Sequence, residues 1–398
     1  MYTFTSNLKK EEYDNFFKNY SMASFMQNYN WSKIKDNWES LHCGLYKDSK
    51  LVGVCSILIK KIRKNIKLFY IPRGFLIDFT NYEDLKEMTK QIKKLAKENK
   101  AYVVKIDPNF CISDNSFKDI EVEHNYSEKH IIKHNNLLKL GFKHTGINKE
   151  MGKNFQPQYN VFAPLCDINS NILSIDEILK TYKSKFKYYL GTFHEKRGIT
   201  FEITNDINKL DKFIELLRMT EKKQNINLRN KEYFVKIFNN FKDSAYIFFG
   251  NIDLTIYLDF LKSNNGKEEE INEVNNLIKD NGNIMTLSTG LLLLPTNENG
   301  IRTSEYLYAG NSLTLNKLNI SAGLVFEMIK FSMKNSCHYC NLGGVDGNLN
   351  DHLTTFKQKF NGRIMEFTGE YDLPISWIYY PIKTLYPVLL KIYKIIKK

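Results

Sequence analysis

A lysine flanked by aromatic residues is the first place in this sequence where residue types and spacing could do chemistry. In residues 354–363, Lys357 follows Phe356 and precedes Phe360, ahead of an Asn-Gly turn. Phe356 and Phe360 are four residues apart, so on a helix they share one buried face while Lys357 points elsewhere. A lysine fixed beside two aromatic anchors would supply a positive charge to an active site. The alternative is an amphipathic helix with a solvated lysine, and this stretch alone leaves both interpretations open.

Four further places combine cationic, acidic or aromatic side chains with predicted turns or strand ends. Ligands of α/β sheets tend to bind beyond the carboxyl ends of strands, so these residues are candidates for binding. Each also has an ordinary explanation, such as a helix face, a core tyrosine or a solvated arginine. The candidates are Trp31 with Lys35, Tyr102 with Asp107, Arg229 with Tyr233, and Tyr306 and Tyr308 with Lys357.

The sequence lacks several motifs of well-known enzyme classes. It contains no Gly-x-Ser-x-Gly, no Walker phosphate loop and no His-Glu-x-x-His. The stretch Gly343-Gly-Val-Asp-Gly347 resembles a phosphate loop but lacks the strand-to-helix spacing of a dinucleotide site, so it predicts a turn. Cys337-His-Tyr-Cys340 has the spacing of metal ligands, but no second pair completes a zinc site. We therefore expect no metal.

Length and charge limit the classes of protein further. A chain of 398 residues predicts two domains. The net charge of +13 favours anionic partners such as nucleic acid, phosphorylated substrates or an acidic membrane surface. The N-terminus lacks the apolar core of a signal peptide, and no apolar run approaches the length needed to span a bilayer. Six scattered cysteines are typical of reduced thiols, so we expect a cytoplasmic protein.

Hydrophobic periodicity predicts the same order of elements twice. Each copy has three strands, the third ending in a glycine turn, followed by a helix and a fourth strand, which indicates a duplicated α/β unit with a mixed sheet. The first copy covers strands at 42–47, 51–59 and 66–71, a helix at 83–100 and a strand at 101–106, after helices within 8–38. The second covers strands at 244–249, 284–294 and a run ending at 310, a helix at 322–333 and a strand at 339–342. Helices at 176–192, 209–225 and 231–241, and a strand at 199–203, lie between the copies.

Two segments fall outside this duplicated pattern. Residues 252–282 are polar and acidic and predict a helix–turn–helix projection or a disordered loop. The tail after Asp372 has five lysines and no acidic residue, and its apolar residues share one helical face. A basic amphipathic helix of this kind lies on an anionic bilayer or docks on the body of the protein. Its apolar face consists of Leu385, Leu389, Ile392 and Ile396.

A set of short motifs spans nearly the whole chain in one fixed order. Together the motifs resemble the FemABX family of aminoacyl-tRNA-dependent peptidyltransferases, which build the interpeptide bridge of peptidoglycan. The motifs are Phe25-Met-Gln27 with Trp31 and Lys35, Tyr70-Ile-Pro-Arg-Gly74, Lys105-Ile-Asp-Pro108, Gln156-Pro157, Tyr306-Leu-Tyr-Ala-Gly310, Phe356-Lys357 with Phe360 and Gly362, and Gly369-Glu-Tyr-Asp-Leu-Pro374.

The resemblance implies an α/β (α+β) protein of two tandem domains similar to GCN5-related N-acetyltransferases. The first would comprise residues 1–158 and 369–398, and the second residues 159–368, with a short helical arm or loop at 252–282. The resemblance also implies an aminoacyl-tRNA donor and a UDP-MurNAc-pentapeptide or lipid II acceptor. An ester becomes an amide in this reaction, so no cofactor is needed.

The resemblance assigns roles to individual residues. Lys35 and Arg229 would grip the diphosphate of the acceptor. Lys357, next to Phe356, would face the reacting ester and stabilise the negatively charged tetrahedral intermediate. Asp107 would take the proton of the attacking amine, unless hydroxyl groups of the substrate or tRNA carry it. The groove would be lined by Tyr102, Asp107, Tyr233 and Tyr308.

Two other functions stay open. An acyl-CoA-dependent N-acyltransferase would suit the implied fold, which usually binds CoA, although neither unit has a glycine-rich pyrophosphate loop. A non-catalytic protein that binds tRNA or a membrane surface would also suit the positive charge.

Overall fold

Two mixed β-sheets organise the computed structural model, which describes residues 1–63, 66–116 and 126–385. The strands are β1 Tyr2–Thr5, β2 Glu39–Lys47, β3 Lys50–Arg63, β4 Ile66–Ile71, β5 Ala101–Ile106, β6 Cys111–Ser116, β7 Lys143–His144, β8 Tyr159–Pro164, β9 Ile199–Thr204, β10 Ala245–Asp253, β11 Ile284–Leu293, β12 Thr303–Asn311, β13 Tyr339–Val345, β14 Arg363–Phe367 and β15 Tyr371–Pro374.

Helices cover both sheets. The α-helices are α1 Lys10–Asn19, α2 Trp31–Ile34, α3 Tyr82–Glu98, α4 Glu128–Lys139, α5 Ile175–Thr181, α6 Ser184–Tyr188, α7 Leu210–Gln224, α8 Lys231–Phe241, α9 Leu254–Ser263, α10 Glu268–Asn281, α11 Ile320–Lys334 and α12 His352–Gln358. Short 3₁₀ turns lie at Phe25–Gln27, Ile207–Lys209, Lys242–Ser244 and Asn316–Leu318, and a π-helical turn at Tyr189–Phe193.

The two sheets repeat one strand order. The first runs β1-β2-β3-β4-β5-β15-β7, and the second runs β6-β14-β8-β13-β12-β11-β10-β9. In each sheet three antiparallel neighbours are followed by a parallel pair, β4 with β5 and β12 with β13. Helix α3 connects the first parallel pair and α11 the second. The duplicated α/β unit predicted from the sequence is therefore confirmed.

Local sequence explains the first sheet's elements. Asp48 and Ser49 adopt positive φ angles between β2 and β3, as a tight hairpin requires. The side chain of Asn81 caps α3 by accepting a hydrogen bond of 3.2 Å from the backbone N–H of Asp84. The buried face of that helix carries Leu85, Met88, Ile92 and Ala96, all at 0% exposure. Burial of this periodic face joins the helix to the core of the sheet.

Each sheet contains a strand from a part of the chain that lies next in sequence to strands of the other sheet. Strand β15, near the end of the described chain, pairs with β5 in the first sheet, and Lys105 forms ion pairs of 2.8 Å with Glu370 and 2.7 Å with Asp372 across this pairing. Strand β6, which the sequence places in the first domain, pairs with β14 in the second sheet. The domain boundaries at 158 and 369 stay a prediction, and the two sheets are used below as the units of description.

Residues 252–282 are mostly helical. Helices α9 and α10 pack on the second sheet through Tyr257, Leu261 and Val274, in one cluster with Ile252 of β10. Val274 has 0% exposure. The segment is therefore helical, as predicted, and not a disordered loop. Its helices pack on the second sheet instead of projecting from the protein.

The basic tail falls largely outside the described residues, since these end at 385; Leu389, Ile392 and Ile396 of its apolar face are among the residues beyond. Within the described part of the chain, no helix has both the length and the apolar character to cross a membrane.

Candidate functional site

A cavity of about 240 Å³ lies where segments of both sheets meet. Strands β12 and β13 pair in parallel only between Thr303–Glu305 and Tyr339–Asn341, and the cavity begins where this pairing stops. An opening between parallel strands beyond their paired ends is a common ligand site in α/β folds. Among the lining residues are Phe25 and Met26, Arg73, Asn109, Gln156 and Pro157, Glu305 to Leu307, Asn341, Gly343 and Gly344, and Phe367.

Lys357 is buried behind one wall of this cavity. Helix α12 begins at the N-cap Asp351, whose carboxylate accepts hydrogen bonds from the backbone N–H groups of Leu353 and Thr354. Lys357 lies one turn further, is 5% exposed, and its Nζ donates a hydrogen bond of 2.8 Å to the carbonyl oxygen of Gly344. Burial lowers the pKa of Lys357 to about 7. The solvated-lysine interpretation is therefore wrong.

Gly343 and Gly344 form a bulge inside β13, so the turn predicted for them is wrong. The register against β8 shifts between Asn341 and Gly344, and Gly343 has φ +87°. The side-chain oxygen of Asn341 accepts a hydrogen bond of 2.9 Å from the N–H of Gly343, which satisfies the irregular backbone. A glycine pair is equally typical of a turn and of a bulge, and only the strand pairing distinguishes them. The bulge brings the Gly344 carbonyl to Lys357.

Asp107 follows the end of β5 next to Arg73, which lines the cavity. Its carboxylate accepts hydrogen bonds of 2.7 Å from the backbone N–H of Arg73 and 3.1 Å from the hydroxyl of Tyr70. Gln156 donates to that same hydroxyl at 3.3 Å. Asp107 is 3% exposed, and this burial raises its pKa to about 6, against the opposing charge of Arg73. Near neutral pH the carboxylate can therefore both hold and release a proton.

Four predicted binding residues from distant parts of the chain meet where α2 packs against α8. The Nζ of Lys35 lies 5.0 Å from the ring centroid of Trp31 and 5.3 Å from that of Tyr233. The guanidinium carbon of Arg229 lies 5.4 Å from the same Tyr233 ring. The ring of Tyr308, in β12, is 6.2 Å from that of Tyr233. Aromatic rings thus hold two cations close to one another.

Lys35 and Arg229 lack a carboxylate partner within the described ranges of the chain. Among the described residues neither side chain forms an ion pair within 4.0 Å. Burial and, second, the charge of Arg229 lower the pKa of Lys35 to about 8. Two neighbouring cations of this kind have the chemistry to bind an anionic group.

Tyr102 and Phe356 lie apart from these groups. Tyr102 packs with Trp38 and Tyr379 against the first sheet. Phe356 packs in the core of the second sheet, its ring 5.6 Å from that of Phe360. The structure thus places Phe356 as an anchor for α12, away from the lining of the cavity.

Several polar residues of the cavity were missed by reasoning from the sequence, among them Arg73, Glu305 and Asn341. Arg73 lies in the motif Tyr70-Ile-Pro-Arg-Gly74 but was assigned no role. Glu305 directly precedes the motif Tyr306-Leu-Tyr-Ala-Gly310. The Oε2 atom of Glu305 accepts a hydrogen bond of 2.7 Å from Nδ2 of Asn341, and burial raises the pKa of Glu305 to about 8. A glutamate in an alternating strand gives no signal that separates a cavity from solvent.

The cysteine spacing is not accompanied by a metal-ligand cluster in the described ranges. Cys337 and Cys340 are buried free thiols, and no group of three or more His, Cys, Asp or Glu side chains suited to a metal occurs among those residues.

Comparisons with known proteins show which family model and which sequence relatives this chain matches. A family model described as the FemAB family matches residues 8–270 and 260–387. A protein of Staphylococcus haemolyticus (strain JCSC1435) described as a lipid II:glycine glycyltransferase is 26% identical over 426 residues, covering 97% of this chain and 96% of that protein.

Solved structures agree on the fold. A crystal structure of FemX matches with a TM-score of 0.76 at 22% identity, covering 96% of this chain and 99% of that one. A tandem GNAT protein from the clavulanic acid biosynthesis pathway matches with a TM-score of 0.51 at 5% identity, covering 94% and 99%. The fold expected from the sequence, two tandem domains of the GCN5-related N-acetyltransferase type, is confirmed.

Proposed function

The chain belongs to the FemAB family and is an aminoacyltransferase, and from this premise we propose that it moves an amino acid from aminoacyl-tRNA to the stem-peptide amine of a peptidoglycan precursor. The product would carry one added residue of the interpeptide bridge. The names of the relatives favour lipid II as the acceptor and glycine as the amino acid; UDP-MurNAc-pentapeptide is the alternative acceptor. The reaction would take place on the cytoplasmic side of the membrane.

The observation that carries this proposal is the buried Lys357 at the glycine bulge. Attack of an amine on an ester carbonyl creates a negatively charged tetrahedral intermediate, and a donor fixed beside that oxygen can lower the barrier by about 3–4 kcal/mol. Lys357 has three N–H groups when protonated and uses one on Gly344. The others would be available to the oxyanion. Because the burial cost is already met in the folded protein, no reorganisation is required during the reaction.

Proton transfer completes the chemistry. The attacking amine forms the new C–N bond and must lose a proton, while the ribose oxygen of the tRNA leaves and must gain one. Asp107 is the protein group we propose as acceptor, because its raised pKa of about 6 leaves it mostly ionised yet basic at neutral pH. Hydroxyl groups of the substrate or tRNA are the alternative route.

The precursor's diphosphate would bind between Lys35 and Arg229. Both cations lack carboxylate partners among the described residues, and a planar guanidinium suits phosphate oxygens. Tyr233 and Tyr308 would line the groove beside them, with Tyr102 further along the first sheet.

One assay tests the proposed function. The purified protein would be mixed with bulk tRNA charged with a mixture of amino acids and, separately, with lipid II or UDP-MurNAc-pentapeptide, and the product would be weighed by mass spectrometry. We expect a mass increase of one amino acid that disappears after ribonuclease treatment. Acetyl-CoA turnover without any tRNA requirement would favour the acyl-CoA reaction instead. Binding of tRNA without transfer in any combination would favour a non-catalytic protein.

A further inference from the structure

A carboxylate is held at the inner wall of the cavity, at the point where β12 and β13 separate. Glu305 and Asn341 are paired in the strand register, and their side chains share a hydrogen bond of 2.7 Å. The preceding residue, Ser304, is fully buried and meets the hydroxyl of Ser332 on α11. Alternation along β12 therefore directs Glu305 to the cavity face.

Among the residues that the structure describes, Glu305 has no cationic partner at ion-pair distance. Of the cavity-lining residues only Glu305 and Arg73 are charged, and in the described part of the chain these two do not come within 4.0 Å of one another. The Arg73 guanidinium instead lies 4.1 Å from the ring centroid of Phe367 and donates to the carbonyl of Pro157 at 3.4 Å. Glu305 is half-buried, and burial raises its pKa to about 8 although the charge of Arg73 opposes this, so the side chain is mostly protonated in the free site at neutral pH. A cation bound beside it would restore the carboxylate form, as is typical of a site that receives a cation from a ligand.

Asn341 connects this carboxylate to the proposed reaction centre. Its Nδ2 donates to Glu305, and its Oδ1 accepts from the N–H of Gly343 in the bulge beside Lys357. A group bound at Glu305 and an ester carbonyl at the bulge would thus be immediate neighbours. In an aminoacyl ester the α-nitrogen is two covalent bonds from the carbonyl carbon. One aminoacyl group can therefore place its α-nitrogen at Glu305 and its ester carbonyl at the bulge.

We propose that Glu305, positioned by Asn341, binds the α-ammonium group of the aminoacyl donor. The inference rests on the proposed aminoacyl transfer and names what the site recognises in its donor. The carboxylate accepts hydrogen bonds from the ammonium and leaves the ester carbonyl beside Lys357. Donors whose α-nitrogen is absent or acylated would be disfavoured, because they bring no cation to the half-buried Glu305. The acceptor amine is excluded from this position, since a nucleophile has to be neutral.

A chemical exchange on the donor tests the assignment. Glycyl-tRNA would be compared with glycolyl-tRNA, in which a hydroxyl group replaces the α-ammonium, as donors for the wild type and for Glu305→Gln. Glutamine keeps the size of the side chain and an oxygen for Asn341, but removes the charge. We expect the wild type to prefer the glycyl donor in kcat/KM by more than about tenfold, as for a hydrogen bond to a charged group. In Glu305→Gln the preference should fall below about threefold.

A matched control is available in Glu366→Gln. Glu366 is 2% exposed and accepts a hydrogen bond of 2.9 Å from the hydroxyl of Tyr159, so it is a carboxylate away from solvent that is not among the cavity-lining residues. Its variant should keep the wild-type preference. An unchanged preference in Glu305→Gln, or an equal loss in both variants, would overturn the assignment.

Binding measurements separate this inference from the proposed function. The affinities of the wild type and Glu305→Gln for 3′-glycylamido-3′-deoxyadenosine and its glycolyl counterpart would be measured by calorimetry, with melting curves to verify folding. If the wild type transfers nothing from any charged tRNA, the proposed function fails, and the subsite is still supported by tighter binding of the glycyl compound that is lost in the variant. Equal binding of the two compounds to the wild type, or none of either, would overturn the subsite. If Glu305→Gln does not fold, Glu305→Asp replaces it, which keeps the charge and should retain part of the preference.

Discussion

The Nζ atom of Lys357 donates a hydrogen bond of 2.8 Å to the carbonyl oxygen of Gly344, within a bulge that interrupts β13. This contact joins a buried cation to an irregular strand at the wall of the cavity. An ordinary core position would hold an apolar side chain there, because burial disfavours the charged form of a lysine. Burial of Lys357 therefore costs stability, and the proposed catalytic role gives a reason for it.

Replacing Lys357 with methionine separates the effect of this residue on the transfer rate from its effect on stability. Methionine keeps most of the volume but donates no hydrogen bond to an oxyanion, so Lys357→Met should reduce the transfer rate by about 10²-fold or more. Its melting temperature should equal or exceed that of the wild type, because the cost of burying an ammonium group is removed. Single-turnover rates and thermal melting would be measured on the same samples. Near-normal transfer would exclude the proposed role.

The rate advantage of Lys357 should depend on pH. The lowered pKa of about 7 means that the ammonium form is lost as pH rises through 7. The ratio of wild-type to Lys357→Met rates should therefore be constant below about pH 6 and fall by up to about tenfold per pH unit above 7. Taking the ratio cancels the titration of the acceptor amine, which affects both proteins equally. A ratio that rises with pH would indicate that neutral Lys357 acts as a base.

Asp107→Asn tests the two routes for the proton. Because the pKa of Asp107 is raised to about 6, the carboxylate form is present above that pH and is lost below it. If this carboxylate is the base, the ratio of wild-type to variant rates should rise through pH 6 and reach about 10²-fold or more at neutral pH. If a tRNA hydroxyl carries the proton, the ratio should stay near one, and a donor with a 2′-deoxy terminal adenosine should instead be slow. Asparagine preserves an acceptor oxygen for the N–H of Arg73, which serves as the structural control.

Much of the fold could be predicted from the hydrophobic periodicity of the sequence, whereas the arrangement of the site residues in space could not. Helix α8 has the bounds predicted for it because its apolar face repeats at helical spacing and Asn230 caps it. The approach of Lys35 to Arg229 required α2 to pack on α8, and no local pattern encodes that packing. The family resemblance, and not the spacing, predicted their proximity. Glu305 was missed because the sequence around it alternates as in any strand with one exposed face. That alternation does not show whether the face borders a cavity or solvent.

Truncation after Leu385 addresses the basic tail. The truncation point must lie beyond Tyr379, which is 3% exposed and donates a hydrogen bond of 3.0 Å to Asp372, so that the first sheet stays intact. The truncated protein should bind vesicles containing anionic lipid more weakly, because four lysines are removed, while turnover of the soluble UDP-linked precursor should be unchanged. Equal vesicle binding by the two proteins would show that the tail docks elsewhere.

Lys35 and Arg229 should act as one binding unit for the acceptor. Both cations contact the Tyr233 ring and are proposed to bind one diphosphate, so removing either weakens that group without affecting the donor. Lys35→Ala and Arg229→Ala should each raise the KM of the precursor by about tenfold with a smaller change in kcat. The double variant should lose less than the product of the two effects, since residues that share a partner are not additive.

Lys33→Ala supplies the comparison, because Lys33 is an exposed lysine on helix α2, two residues before Lys35, and carries the same charge. Its KM should stay within about twofold of the wild type at matched ionic strength, where long-range attraction is similar for all three variants. An unchanged KM in Lys35→Ala would remove Lys35 from the acceptor site. A rise of equal size in Lys33→Ala would show that net charge, and not a diphosphate held between two particular side chains, governs binding of the precursor.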